Sequence, residues 1–455
     1  MEREYDVVVI GTGVAGDDVA DHCSDAGLRV AIADYRRFGG TCALRGCVPK
    51  KVLVGAAEVV ARVRDQQGKG IAGDVSIDWP ELIAFEHSFT DPTPERKEER
   101  YRKKGIDAYH GFARFIGPNT VNVDNDTLTA RHIVIATGAK PRPLDVPGAD
   151  LMTSSDEFLH VEHLPKRIIF IGGGYISFEF SHIAARAGAE VTILQRGERV
   201  LNQFDPDLVD RLVLASREAG IDVRLNMPLK SIEKIPGGLR VYAGREGDQI
   251  FEASMVVHGA GRVSAIDGLD LEKGNVETDR RGIKVNEYLQ SVSNPAVYVV
   301  GDANPKSLQL VPVVAVDAHI VIDNIINGNS RTADYSVIPS AVFTYPPIAS
   351  VGLTEEAATR LGVAYSAHTG DLSSRLTYRR IGQKYAGYKL LIDDESRRIL
   401  GAHLLGDHVE EVINIFALAM KNGLTVDDLT LDAVPWAYPT SVYDIIYMIH
   451  RLVRL

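Results

Sequence analysis

Twice in this chain an apolar strand runs into a glycine-rich turn and leaves it as a helix. The first copy has strand residues 7–10, then Gly11-Thr12-Gly13-Val14-Ala15-Gly16, a helical pattern to about Ala26, and a second apolar run over 29–33. The second has residues 168–171, then Gly172-Gly173-Gly174-Tyr175-Ile176-Ser177, a helix to Ala187 and the run 190–194. Parallel neighbouring strands need a crossover, and a helix supplies it, so each copy reads as a βαβ unit. The prediction is an α/β protein with two doubly wound domains, each a parallel sheet with helices on both faces.

Turns of this kind also bind nucleotides. Glycines let the backbone approach a pyrophosphate, and the helix N-terminus that follows presents N–H groups to it. In the first copy Gly11, Gly13 and Gly16 fill the turn, and Asp34 ends the next strand, where a carboxylate meets an adenosine ribose. In the second copy Gly172 and Gly174 keep the turn, and Ser177 is small enough for close packing. Its following strand ends in Gln195-Arg196 and not in an acid. A carboxylate there favours the free 2′-hydroxyl of NADH, whereas arginine suits the 2′-phosphate of NADPH. Arg196, with Arg199 nearby, predicts NADPH, with NAD as the alternative. Two further apolar strands end in small or acidic residues, at Ala136-Thr137-Gly138 and at Gly301-Asp302. Together with the first turn they fit a flavin domain, with Asp302 placed to accept from a ribityl chain.

Two of the three cysteines, Cys42 and Cys47, fall in the single stretch Gly39-Gly40-Thr41-Cys42-Ala43-Leu44-Arg45-Gly46-Cys47-Val48-Pro49-Lys50-Lys51. Lysine, arginine or a helix N-terminus favours the thiolate, and this stretch offers all three. Residues five apart do not face each other on a regular helix, yet a disulfide needs Cα atoms within about 7 Å. The helix must therefore be distorted between them, with Gly46 permitting it. The pair reads as a redox disulfide. Zinc lacks ligands, since only His22 and Cys23 are close in sequence, and no metal site is expected. Cys23 reads as core packing, and His403 and His408 as fillers.

A net charge of −11 argues against nucleic acid as a partner, and no apolar run is long enough to span a membrane. The first strand begins at Tyr5, which leaves no room for a signal peptide. Few cysteines suit a reducing cytoplasm, the expected location. The proline-bearing stretch 140–147, the junction after Arg262 and a change of pattern near Pro339 divide the chain. The expected segments are 1–145 (first nucleotide domain), 146–262 (the second), 263–337 (return to the first) and 338–455 (a separate α+β domain).

The stretch Gly-Gly-Thr-Cys-x-x-x-x-Cys-Val-Pro-Lys-Lys after a dinucleotide turn resembles the FAD-dependent pyridine nucleotide–disulfide oxidoreductases. The resemblance runs through the whole chain in order, ending in Phe343-Thr344-Tyr345-Pro346-Pro347, which is similar to the start of that family's interface domain. It implies FAD, a homodimer and a small-molecule oxidised substrate. Cys47 would be the flavin-side thiolate and Cys42 the interchange thiol. Lys50 and Glu179 would form an ion pair near flavin N5, and Tyr175 would gate the nicotinamide pocket. Thr41, Thr137, Gly138, Gly261 and Asp302 complete the cofactor-binding set. The implied activity is electron transfer from NADPH through FAD to Cys42–Cys47 and on to a small disulfide. The alternatives are a quinone, metal ion, persulfide or other oxidant as acceptor, or a redox-sensing flavoprotein subunit.

One departure stands out. The family's disulfide reductases carry His-Pro-Thr-x-x-Glu near the C-terminus, with the histidine acting across the dimer. This chain reads Tyr438-Pro439-Thr440-Ser441-Val442-Tyr443, with Tyr438 at the histidine position and Tyr443 at the glutamate position. Mercuric reductases also have a tyrosine in this region but use a C-terminal cysteine pair, and residues 451–455 contain no cysteine.

Overall fold

Val7, Val8, Val9 and Ile10 are all buried, so the strand they end, β1 (Glu2–Ile10), is covered on both faces. Val7 and Val9 face one core with Val19, Ala20 and Ile320, while Val8 and Ile10 face another with Phe115, Val121 and Ile133. The computed structural model describes residues 2–450 and 452. Arg451 and residues 453–455, part of the terminal segment compared above with mercuric reductases, lie outside them.

After β1 come α1 (Val14–Asp25), β2 (Val30–Asp34), α2 (Gly40–Arg45), α3 (Cys47–Gln66), α4 (Trp79–Thr90) and α5 (Thr93–Lys104). Next are β3 (Asp107–His110), β4 (Ala113–Gly117), β5 (Thr120–Val123) and β6 (Asp126–Ile135). The strands β3, β2, β1 and β6 lie side by side in parallel. The first half of β6 pairs antiparallel with β5, and its last residues pair in parallel with Val297–Val299. Register places Ile10 beside Ala33 and Ile135, and Ile135 beside Val299. The turns at Gly11, Ala136 and Gly301 therefore leave the same carboxyl edge of the sheet, where doubly wound folds bind ligands.

The chain divides into two compact units: residues 1–51, 84–143 and 261–335, and residues 52–83, 144–260 and 336–455. The second contains a parallel sheet in the order Ile221–Arg224, Glu190–Leu194, Arg167–Ile171 and Met255–His258. It also holds a three-stranded antiparallel sheet over 229–253 and a five-stranded antiparallel sheet covered by helix Val409–Lys421. Residues 52–83, placed with the first nucleotide domain on sequence, pack here: Leu53, Val54, Ala57, Trp79 and Ile83 share a core with Phe158, Phe170 and Phe178. Their helical period shows an apolar face but not which core that face joins. Cys23 is fully buried between α1 and its sheet, and burial pushes its thiol up to about 12. No helix among the described residues is long and apolar enough to cross a membrane.

Candidate active site

The first glycine turn is pressed backbone against backbone. Gly11 has φ +112°, and a Cβ there would lie 2.3 Å from the Ala136 carbonyl oxygen. One on Gly16 would lie 2.0 Å from the Gly11 oxygen, and one on Gly40, at φ +67°, 2.3 Å from the Gly13 Cα. No side chain fits in this cradle. Asp34 clamps it: its Oδ2 accepts from the Thr12 N–H at 2.9 Å and the Thr12 hydroxyl at 2.7 Å, while its Oδ1 accepts from the Arg36 N–H. The Thr12 Oγ1 in turn accepts from the Gly39 N–H at 3.2 Å, tying the turn to the residues just before Cys42.

Polar groups without a partner face the same edge. Among the described residues Thr137 Oγ1 is buried with no hydrogen-bond partner, and Gly13, the N-cap of α1, offers no side-chain cap to that helix. Burial pushes the Asp302 carboxyl up, Arg262 at 4.0 Å opposes this, and Asp317 adds to the rise. Gly138 (φ +71°) and Gly261 (φ +103°) flank the short paired strands Ala139–Pro141 and Arg262–Ser264. A side-chain-free cradle with unsatisfied hydroxyl and N–H groups fits a dinucleotide pyrophosphate and its polyol.

Sequence reasoning missed Asp317. From helix Val311–Asn327 its buried carboxylate accepts from the Gly301 N–H (3.2 Å), Asn304 Nδ2 (3.4 Å) and the Tyr335 hydroxyl, fixing the turn that carries Asp302. An acid in a mostly apolar helical run was its signal, since buried carboxylates are kept only with partners.

Cys42 lies in the first turn of α2 and Cys47 begins α3, so each cysteine starts its own helix. Gly46 separates the two, and a Cβ there would press the Thr41 carbonyl oxygen at 3.0 Å. No disulfide joins the two cysteines; Cys42 is half-buried and Cys47 exposed. The Cys42 thiol is pushed far up, first by its hydrogen bond to Cys47 and then by burial. Lys97 of α5, a cation outside the cysteine stretch, opposes that rise. Lys50 is half-buried on α3, one turn beyond Cys47.

In the second unit Gly172 has φ +102°, and a Cβ there would meet the Gly259 oxygen at 2.4 Å. One on Gly259 would meet Ser177 Oγ at 2.0 Å, so only a small side chain fits at position 177. The Gly173 N–H donates to Gln195 Oε1 at 3.0 Å, and Gln195 Nε2 donates to the Arg199 carbonyl at 2.8 Å. Gln195 thus does with an amide what Asp34 does with a carboxylate, and it also holds the 195–199 loop. Arg196 is exposed, and Arg199 lines a cavity of about 270 Å³ with Glu198, Asp210 and Arg217. Gly174 caps helix Tyr175–Arg186, on which Tyr175 is exposed and Glu179 is buried, accepting from the Phe343 N–H at 3.0 Å. Tyr438 is 66% exposed, its ring edge-on to Tyr443 with centroids 4.8 Å apart.

A doubly wound sheet with a dinucleotide cradle, a second glycine turn and a thiol pair at the first cradle defines a two-nucleotide dithiol oxidoreductase. The chain belongs to the pyridine nucleotide-disulphide oxidoreductase family: that family's model matches residues 5–318, and its dimerisation domain matches 338–444. The chain is 35% identical to a glutathione reductase of Burkholderia cepacia, over 99% of this chain and 100% of that one. It is 33% identical to a mercuric reductase of Lysinibacillus sphaericus, over 96% of this chain and 80% of the relative. Among solved structures it resembles the HOCl-induced flavoprotein disulfide reductase RclA from Escherichia coli. That match has 26% identity and a TM-score of 0.88, covering 99% of this chain and 100% of that one. The family comprises NAD(P)H-dependent FAD disulfide oxidoreductases, and this chain is an enzyme of that class.

Proposed function

We propose that the chain acts as a homodimer that oxidises NADPH and reduces a small disulfide through Cys42 and Cys47. The observation that carries this reading is the hydrogen-bonded thiol pair, each cysteine at the start of its own helix, beside a cradle of backbone and orphaned polar groups. Segments 1–145 and 263–337, with Gly261 from the junction between domains, would hold FAD through Gly11, Gly13, Gly16, Asp34, Thr41, Thr137, Gly138, Gly261 and Asp302. Segment 146–262 would hold the nicotinamide through Gly172, Gly174, Tyr175 and Arg196, and segment 338–455 would form the dimer contact. FAD, when bound, carries two electrons from the nicotinamide to the cysteine pair.

Cys42, as thiolate, attacks one sulfur of the acceptor and displaces the other as a thiolate, which takes a proton. Cys47, as thiolate, then attacks Cys42 Sγ, closing the intramolecular disulfide and releasing the second thiol. One disulfide is reduced, one is formed, and the two protons of the dithiol leave with the products. The order of the two thiols follows the family resemblance. Lys50, one turn from Cys47, supplies positive charge there. Tyr438 donates the proton to the departing thiolate as a general acid. An arginine where an acid would favour NADH supports NADPH, and the low cysteine content supports a cytoplasmic location.

Tyr438 at the histidine position favours a second reading, an acceptor such as a metal ion or quinone that needs no such base. RclA, described in a Cu(II) complex, shows that a structural relative takes a metal ion. Steady-state NADPH and NADH oxidation with small disulfides, quinones and metal ions separates the two. Loss of disulfide turnover in Cys42→Ser is expected; full retention would overturn the thiol route.

A further inference from the structure

Helix α5 carries Thr93, Arg96, Lys97, Arg100 and Lys104 at spacings of three and four, which puts them on one face. Helix α1 answers with Asp17, Asp21 and Asp25. Lys97 and Arg100 both pair with Asp17, Arg100 Nη2 also lies 3.4 Å from Asp21, and Lys104 Nζ reaches Asp21 at 3.5 Å and Asp25 at 2.7 Å. Four cations meet three acids, and the ladder runs out at Arg96. Arg96 has no ion-pair partner among the described residues, and its guanidinium turns back to Thr93 Oγ1 at 3.1 Å and the Pro92 carbonyl at 3.3 Å.

Thr93, Arg96, Lys97 and Arg100 together line a cavity of about 170 Å³. Its walls offer one hydroxyl and three cations; Asp17 and Asp21 pair with Lys97 and Arg100, and the Arg96 charge is left over. The cavity reaches the cysteine stretch through Thr93. A Cβ on Gly39, three residues before Cys42, would lie 3.1 Å from Thr93 Cγ2, so the first turn of α5 rests on the start of the cysteine stretch. Lys97 is also the cation whose field reaches the Cys42 thiol.

We propose that the cavity lined by Thr93, Arg96, Lys97 and Arg100 is an anion-binding subsite of the acceptor pocket, and that the oxidised molecule brought to Cys42 carries a carboxylate or comparable anionic group. This rests on Cys42 being the thiol that meets the acceptor. Arg96 supplies the charge that no protein carboxylate matches, so it selects for charge, while Lys97 and Arg100 are held in place by Asp17.

The test compares wild type with Arg96→Glu, and with Arg96→Gln as a milder change. Arg96 is exposed and an acid in the first turn of a helix is favourable, so neither change threatens the fold. In the FAD-loaded enzyme, R96E is expected to raise KM for the dianionic dithiobis(nitrobenzoate) about tenfold while leaving KM for neutral dithiodipyridine within about twofold. In the enzyme reduced with dithiothreitol, the ratio of Cys42 alkylation by iodoacetate to that by iodoacetamide, located by peptide mass, is expected to fall about tenfold. An unchanged alkylation ratio, or equal KM changes for both acceptors, would overturn the proposal. If neither disulfide is turned over, the disulfide-reductase reading fails, and the alkylation ratio alone decides the anion site.

Discussion

The Nδ1 atom of His182 accepts from the Tyr345 N–H and the Arg186 guanidinium, both at 3.1 Å, while its Nε2–H donates to Ser216 Oγ at 2.9 Å. Ser216 passes its own proton to the Leu212 carbonyl at 2.8 Å, so every polar atom is committed and the ring must be neutral. Burial first, and then Arg186, hold its pKa well below the ordinary 6.5. The unfolded chain takes up this proton near pH 6.5 and the folded chain does not, so stability is full above that pH and is lost as pH falls. The loss is expected to approach about 1.4 kcal/mol per pH unit. His182→Gln should remove this component, read from urea unfolding midpoints between pH 7 and 5. A second residue-scale prediction concerns Tyr438. Tyr438→His is expected to raise disulfide turnover by up to about 10²-fold, because imidazole both gives and takes a proton near neutral pH. No change would mean that the phenol lies away from the reacting thiol.

At the scale of elements, the glycine turns were the most legible features because their determinants are local. Gly11, Gly16 and Gly172 are required by backbone passing within a van der Waals radius, and that need marks the sequence directly. Gly40 belongs with them, though its reason could not be read from sequence: the backbone it avoids is that of Gly13. Gly40→Ala would force the α2 start away from the first turn at a strained φ. It is expected to lower the flavin retained per chain, measured by absorbance after purification, while the other unit keeps its helical signal. The distortion expected at Gly46 is a complete break between two helices. What stayed hidden were partners brought together only by packing. Lys97 acts on Cys42 from a helix whose sequence shows nothing but alternating charge, and the apolar face of 52–66 does not say which core it will join.

Across the whole molecule, each βαβ unit announces itself in the sequence, and the match to a dimerisation domain begins where the pattern changes. The homodimer should appear as twice the chain mass in light scattering, and deleting 338–455 should leave single chains. The parallel pairing of Val297–Val299 on Ile133–Ile135 has a consequence for how the protein is made. A ribosome that has reached residue 262 has released β1, β2, β3 and β6, but the strand that covers the end of β6 and the turn bearing Asp302 are still unmade. The nascent sheet must wait with an open edge while the intervening residues 144–260 are synthesised and fold. Flavin capture thus belongs to a late stage of synthesis, and a chain stopped at residue 262 is expected to emerge colourless; one that held flavin firmly would show that the first segment suffices.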